Sequence, residues 1–189
     1  MKDHKLKKDL SPELQKIISH EKWLMEILRT VRDLQLPDWY LAAGVIRNTV
    51  WDVLHGYKKR TQLNDIDVVY FDPHKKFQEN EIKKKLKKIY PQYSWDVVNQ
   101  VFVHKTYVYK RPVKSSCEAI AHFVEVPTCV GVRLEKDNSL TVCAPHGLRN
   151  LFFFLVVPAP YSNLKRYRER MKKKQWKKIW PKLHISSIS

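Results

Sequence analysis

The order of elements in the first half of the chain predicts an α/β (α+β) fold, a mixed β-sheet covered by helices. Amphipathic segments with helical spacing alternate there with short runs rich in β-branched and aromatic residues. This alternation is typical of a sheet whose faces pack against helices. With 189 residues, 43% of them apolar, the chain is long enough to bury a core as one domain spanning residues 1–189.

Three helices and three strands are predicted in the first half. Ser11-Pro12-Glu13 is typical of a helix start because it combines a capping hydroxyl, a proline and an acid in the first turn. Glycine and proline mark the later helix ends. The predicted elements are a helix from Ser11 to about Asp33, a short apolar strand at 39–43, a helix from Gly44 to Gly56, a strand from Ile66 to Phe71, a helix from about Phe77 to Tyr90, and a strand or hairpin from Trp95 to Tyr109.

The second half is predicted to add a C-terminal β-hairpin and a basic helix. Alternating residues at Cys129–Leu134 and Leu140–Cys143 flank a polar turn and predict the hairpin. A short helix capped by one of the serines at 115–116 precedes it. The basic helix extends from about Lys165 to Lys182, and one side of it is expected to dock onto the domain through Tyr167, Met171, Trp176, Ile179 and Trp180.

A pair of carboxylates stands at the start of the strand Ile66–Phe71. Because strand side chains alternate between faces, Asp65 and Asp67 point the same way. Two such charges repel by about 3 kcal/mol, which solvation, a retained proton or a divalent cation relieves. One reading is a Mg²⁺ (or Mn²⁺) site that carries a nucleotide's phosphates. The other is a polar strand start after an Asn-Asp turn.

A candidate phosphate-binding turn lies about twenty residues upstream. Gly44 follows the apolar strand and begins a helix, so backbone N–H groups and the helix N-terminus can approach a phosphate there. Arg47 in the first turn has a guanidinium that can fork onto phosphate oxygens, and Asn48 follows it. A glycine at a helix start is common by itself, but its combination with the carboxylate pair favours a nucleotide site.

The formal charge of +17 indicates a polyanion as one class of partner. Residues 165–182 contribute +9 of it, through ten Lys or Arg and one Glu. Nucleic acid binding through this helix and a solvated basic helix both remain open. Lysines also cluster on another predicted helix, at 83–88, which favours a general lysine bias.

Composition also sets an expected compartment. The chain has three cysteines, an odd number that cannot all pair in disulfides, and their spacing is not that of a zinc site. We therefore expect Cys117, Cys129 and Cys143 to be buried, reduced thiols. The longest apolar run, 151–157, is too short to span a bilayer, and no apolar segment follows the charged N-terminus. These features predict a cytoplasmic protein without a membrane partner.

Two segments, Leu41–Asp52 and Asp65–Asp72, resemble a family of small bacterial nucleotidyltransferase-like proteins. The family belongs to the DNA-polymerase-beta type nucleotidyltransferase superfamily. The resemblance covers about residues 14 to 182 and continues in shorter motifs, at 95–100, 116–119, 128–133 and 144–148.

The resemblance implies a nucleotidyltransferase core at about 12–105 and a family-specific extension at about 106–182. It implies transfer of a nucleoside monophosphate from an NTP to an unidentified acceptor, with Asp65 and Asp67 as catalytic, metal-holding residues and Gly44, Arg47 and Asn48 as nucleotide-binding residues. The superfamily's third carboxylate is replaced by Asn99. The alternatives are a catalytically weak nucleotide- or RNA-binding relative and, less favoured, a phosphodiesterase. Candidates for lining the cleft are Asn99, His104, Glu118, Arg133 and His146.

Overall fold

A mixed five-stranded sheet lies at the centre of the computed structural model, which describes residues 9–103 and 111–187. The spatial order of its strands is β3-β2-β1-β4-β5. Strands β2 and β3 pair in parallel, and the other neighbours are antiparallel. The strands are β1 (Tyr40–Ala42), β2 (Ile66–Tyr70), β3 (Trp95–Asn99), β4 (Gly131–Leu134) and β5 (Leu140–Cys143).

Helices cover one face of this sheet. Apolar side chains of β2 and β3, among them Ile66, Val68 and Val97, join those of the first four helices in a continuous buried core. The predicted mixed sheet covered by helices is therefore confirmed. The helices are α1 (Ser11–His20), α2 (Lys22–Asp33), α3 (Gly44–His55) and α4 (Glu79–Ile89).

The predicted hairpin, β4 and β5, extends the central sheet because β4 pairs with β1. Before it, α5 (Ser116–Ile120) begins at Ser115, whose hydroxyl accepts a hydrogen bond from the Glu118 N–H as predicted for a serine cap. The remaining elements are α6 (Arg149–Phe152), α7 (Leu164–Lys174), α8 (Trp176–Ile179), and the parallel pair β6 (Leu155–Val156) and β7 (His184–Ile185).

The C-terminal helices dock against α3 through tryptophans. The rings of Trp176 and Trp180 meet the Trp51 ring edge-on, with centroids 5.6 and 5.1 Å away. The Trp180 indole N–H donates a 2.7 Å hydrogen bond to the buried Asp52 carboxylate. Docking of the basic segment onto the domain is therefore confirmed for Trp176 and Trp180, but Ile179 is 42% exposed.

Two predicted helices are interrupted. The first is broken at Glu21, where φ −86° and ψ 87° are not helical, so α2 packs its own apolar stripe. The basic helix is broken at Gln175, whose left-handed backbone (φ 43°) separates α7 from α8. Ile89, expected to face inward, is 54% exposed in the last turn of α4.

The strand predicted from Trp95 to Tyr109 ends at Asn99. The Asn99 side chain accepts a hydrogen bond from the Val101 N–H, and a 3₁₀ turn (Gln100–Phe102) follows. The hydrogen-bonding side chain of Asn99 thus ends the strand. The alternation of apolar residues in the sequence did not reveal this end. The remainder of the prediction, at 104–109, lies outside the described residues.

The expectation of three reduced thiols is wrong for two of them. Cys117 and Cys143 form a disulfide, with Cα atoms 5.7 Å apart, because the fold places the start of α5 beside the end of β5. Cys129 is free and buried, and burial raises the pKa of its thiol to about 12. Within the described ranges, no helix has the length and apolar character needed to cross a membrane.

Replacing Trp180 with alanine should strongly destabilise the protein. Trp180 is 2% exposed, so the change leaves a cavity and removes a donor from the Asp52 carboxylate. We expect a loss of about 3–5 kcal/mol in the free energy of unfolding, measured by urea denaturation. Ile179→Ala, on the exposed side of the same short helix, is the matched control and should cost less than about 1 kcal/mol. Equal losses would contradict the docking of α8.

Candidate active site

A cavity of about 820 Å³ lies on the second face of the sheet. Parallel register aligns Asp67 with Asp96 and Val69 with Val98, so neighbouring residues of β2 and β3 share this face. The start of α3 forms one edge of the cavity, and α7 forms a wall over it. Of the predicted site residues, the structure brings together Gly44, Arg47, Asn48, Asp65 and Asp67.

The turn into α3 is strained at Ala43, not at the glycine after it. Ala43 has φ 56° and ψ −120°, a backbone conformation that L residues seldom adopt. The backbone N–H of Gly44 favours the ionised form of the Asp67 carboxylate and so lowers its pKa. A β-carbon at Gly44 would meet only Nη2 of Arg47, at 3.9 Å, so packing within the protein does not require glycine there. The turn thus brings the Gly44 backbone close enough to affect the charge of Asp67.

Arg47 is only 4% exposed and its guanidinium lies against the rings of two tryptophans. Its guanidinium carbon is 4.2 Å from the Trp176 ring centroid and 5.1 Å from that of Trp51. Nη1 donates to the Thr128 hydroxyl at 2.7 Å and Nη2 to the Asn48 amide oxygen at 2.8 Å, while Nε has no partner. Burial lowers the Arg47 pKa to about 10, so the guanidinium remains charged at neutral pH.

A buried chain of hydrogen bonds continues from Arg47 to α7. The Thr128 hydroxyl donates to Glu125 Oε2 at 2.9 Å, and Arg170 Nε donates to Glu125 Oε1. Glu125 is fully buried, so its charge depends on these partners. Sequence patterns gave no sign of Thr128, Glu125 or Arg170, because residues this far apart in the chain meet only in the folded protein.

Three carboxylates line one end of the cavity. Burial, followed by the charges of Asp65 and Asp96, raises the Asp67 pKa to about 7, while Arg47 and the Gly44 N–H oppose that rise. Lys83 donates to the Asp96 carboxylate at 3.2 Å. Asp96 is thus the carboxylate of β3 that shares the cavity with Asp65 and Asp67, whereas the sequence interpretation considered Asn99 at the position of the third carboxylate. The register of β3 against β2, which local sequence patterns do not give, is what places Asp96 beside Asp67.

The carboxylates fit a hard divalent cation by chemistry. Oxygen ligands suit Mg²⁺, and a cation would relieve the repulsion that raises the Asp67 pKa. Within residues 9–103 and 111–187, no three acidic, histidine or cysteine side chains are close enough to hold a metal ion. Asp65 and Asp67 would therefore be the protein's main ligands, with other positions left to phosphate or water.

Of the residues expected to line the cleft elsewhere, the four that the structure describes do not line this cavity. The Asn99 amide bonds to the backbone of Asp72, and the Glu118 carboxylate accepts from the Lys114 N–H. Arg133 pairs with Asp38 and Glu135 at the far side of β1. Each side chain is held by a local partner, so its polarity has a structural cause. His146 bonds to the Ala121 carbonyl, and His104 lies outside the described residues.

Comparison with known proteins gives one family and a set of similar structures. Residues 29–185 match the model of a nucleotidyltransferase family. An NMR structure described as a CCA-adding enzyme head domain is 32% identical, with a TM-score of 0.81, and the alignment covers 94% of this chain and 96% of that one. No curated protein matches the chain significantly.

More distant structures are similar in fold. A CCA-adding enzyme in complex with ATP is 14% identical, with a TM-score of 0.57, and the match covers 95% of this chain and 43% of that one. The Thermotoga maritima CCA-adding enzyme complexed with tRNA is 13% identical, with a TM-score of 0.56 and the same coverages. The chain thus spans less than half the length of these two enzymes.

The Asp67 pKa predicts that Mg²⁺ stabilises the protein more as pH rises. The folded-state pKa of about 7 exceeds the ordinary value of 3.8, so the folded state binds the proton more tightly. That contribution to stability is present at low pH and is lost between about pH 4 and pH 7. A cation compensates the resulting charge. The Mg²⁺-induced rise in Tm, measured by thermal denaturation, should therefore be small at pH 5 and largest above pH 7.

Asp67→Asn should remove this pH-dependent increment. Asp33→Asn, at an exposed carboxylate far from the cavity, is the control and should retain it. An equal Mg²⁺ effect at pH 5 and pH 8, or its persistence in Asp67→Asn, would contradict metal binding at this carboxylate.

Proposed function

The chain belongs to the nucleotidyltransferase family, and we propose that it moves a nucleoside monophosphate from an NTP to an acceptor in this cavity. The observation that carries the proposal is the convergence of Asp65 and Asp67 with Gly44 and Arg47. Nucleotidyl transfer needs phosphates held in position and their charge neutralised more than it needs covalent help from the protein. The acidic end of the cavity and its cationic wall meet both needs.

The start of α3 would hold the triphosphate. Arg47 keeps its charge although it is buried, and its partners Thr128 and Asn48 fix the guanidinium plane. An arginine that is already oriented loses little conformational entropy when it binds phosphate. Asn48 therefore acts by orienting Arg47. Gly44 acts by keeping the edge of the cavity free of a side chain.

Asp65 and Asp67 would hold Mg²⁺ or Mn²⁺ beside the α-phosphate. The bound cation would neutralise phosphate charge as it develops in the transition state. Asp96, aligned with Asp67 in the sheet, is the proposed proton acceptor. The acceptor's hydroxyl oxygen bonds to the α-phosphorus while its proton passes to Asp96. The bond from that phosphorus to the β-phosphate breaks, and its electron pair leaves with pyrophosphate.

A nucleic acid is the acceptor class that the charge favours. The side chains of Lys172, Lys173, Lys177 and Lys178 are exposed, next to the wall of the cavity. Similar structures include CCA-adding enzymes in complex with ATP and with tRNA, which supports an NTP donor and an RNA acceptor for this chain.

The transfer reaction is tested with labelled nucleotides. Each NTP, labelled at the α-phosphate, is incubated with Mg²⁺, the protein and a pool of RNA, and incorporation of label is measured. Asp65→Asn combined with Asp67→Asn should reduce the rate by about a hundredfold or more, because several kcal/mol of charge stabilisation is lost. Asp33→Asn should leave the rate unchanged. Mg²⁺-dependent NTP binding without transfer would instead favour the nucleotide-binding alternative.

The RNA-binding role of the exposed lysines predicts a specific dependence on salt. If Lys172, Lys173, Lys177 and Lys178 each neutralise a phosphate, changing all four to Gln should flatten the log–log salt slope of affinity by about 3. The melting temperature should hardly change, since Trp176 and Trp180 still dock the segment. Fluorescence anisotropy with a single-stranded RNA measures the slope. Unchanged affinity would show that these lysines are only solvated.

A further inference from the structure

The wall that α7 forms over the cavity is a row of charged side chains. One face of the helix supplies Lys165, Arg166, Glu169, Arg170 and Lys174, at helical spacing. Lys174 is the last residue of α7. The left-handed residue Gln175 then turns the chain so that Trp176 packs on Arg47. Lys174 is thereby fixed at the end of the wall, near the phosphate-binding side chain.

The two arginines near Lys174 have partners within the protein that orient them. Arg170 is paired with the fully buried Glu125, and Arg47 donates to Thr128 and Asn48. Lys174 is partly buried, yet among the described residues nothing lies within hydrogen-bond or ion-pair distance of its ammonium group. A partly buried charge without a partner is unfavourable unless a ligand or solvent compensates it.

Electrostatics indicate what kind of ligand suits this position. Burial lowers the Lys174 pKa, and the charges of Arg170 and Arg47 lower it further, while Asp65 and Glu125 oppose the effect. Lys174 therefore lies within electrostatic range of both Arg47 and Asp65. An anion bound between these cations would relieve their mutual repulsion.

On the basis of the nucleotidyl transfer proposed above, we infer that Lys174 binds the β- and γ-phosphates of the NTP, the part that leaves as pyrophosphate. The α-phosphate must lie against Asp65 and Asp67, where the acceptor attacks it. The outer phosphates then extend toward Arg47 and the wall of α7, where Lys174 is the partly buried cation without a partner among the described residues. Lys174 thus has a different proposed role, binding of the outer phosphates, from that of the neighbouring exposed lysines.

The inference is tested by calorimetric titration of three variants. Lys174→Gln removes the charge, Lys174→Arg keeps it, and Arg168→Gln removes a charge from an exposed position on the same helix that does not line the cavity. Each protein is titrated with an NTP and Mg²⁺, with the corresponding monophosphate, and with inorganic pyrophosphate and Mg²⁺. Thermal denaturation checks that each variant is folded.

Lys174→Gln should weaken NTP and pyrophosphate binding by about ten- to a hundredfold, the loss typical of one charge-assisted hydrogen bond. Monophosphate binding should be unchanged, Lys174→Arg should keep most of the affinity, and Arg168→Gln should behave as wild type. An equal loss for NTP and monophosphate, or no loss beyond that of Arg168→Gln, would overturn the inference.

The titrations also separate this inference from the proposed function. If the wild type binds Mg²⁺-NTP and Lys174→Gln binds it equally well, the role of Lys174 fails and the proposed function stands. If the wild type binds no NTP but binds pyrophosphate in a Lys174-dependent manner, the proposed function fails and a polyphosphate site remains. If the wild type binds neither ligand, both are overturned.

Discussion

The buried chain from Arg47 through Thr128 and Glu125 to Arg170 is the interaction on which the site depends. It joins the start of α3, the 3₁₀ turn Val126–Thr128 and the basic helix α7. Glu125 is fully buried, and an unpaired carboxylate there would be strongly unfavourable, so its ion pair with Arg170 and its hydrogen bond from Thr128 are both needed. The same bonds that compensate Glu125 hold α7 over the sheet. The cavity therefore exists because a buried charge requires its partners.

The aromatic side chains reinforce this arrangement from the other side of Arg47. The rings of Trp176 and Trp51 both pack against the guanidinium, and Trp180 donates to Asp52 on the same helix as Arg47. The arginine proposed to bind phosphate is thus packed against a residue more than a hundred positions away, Trp176. This links stability with function, because loosening α8 would disturb the position of Arg47. The basic C-terminal segment is consequently part of the site's construction, whatever its outward lysines bind.

The disulfide between Cys117 and Cys143 removes part of the support for the predicted cytoplasmic location. The cytoplasmic prediction depended partly on three reduced cysteines, and that basis now applies to Cys129 alone. Stable disulfides are typical of oxidising environments. The cytoplasmic location stays a prediction, with one of its supports removed. The bond joins α5 to the edge strand β5, beside the segment that carries His122 and Phe123 into the cavity.

The sequence by itself determined the local elements and the residues whose chemistry is local. Apolar periodicity predicted α3, β2 and the hairpin, and the spacing of Asp65 from Asp67 predicted that both point into one site, because strand and helix geometry repeat over a few residues. Tertiary structure alone decided which distant residues meet. The register of β3 brings Asp96, and not Asn99, beside Asp67, and the packing of α7 over the sheet places Lys174 in the cavity lining. Such contacts depend on how whole elements pack, a property that no local pattern encodes.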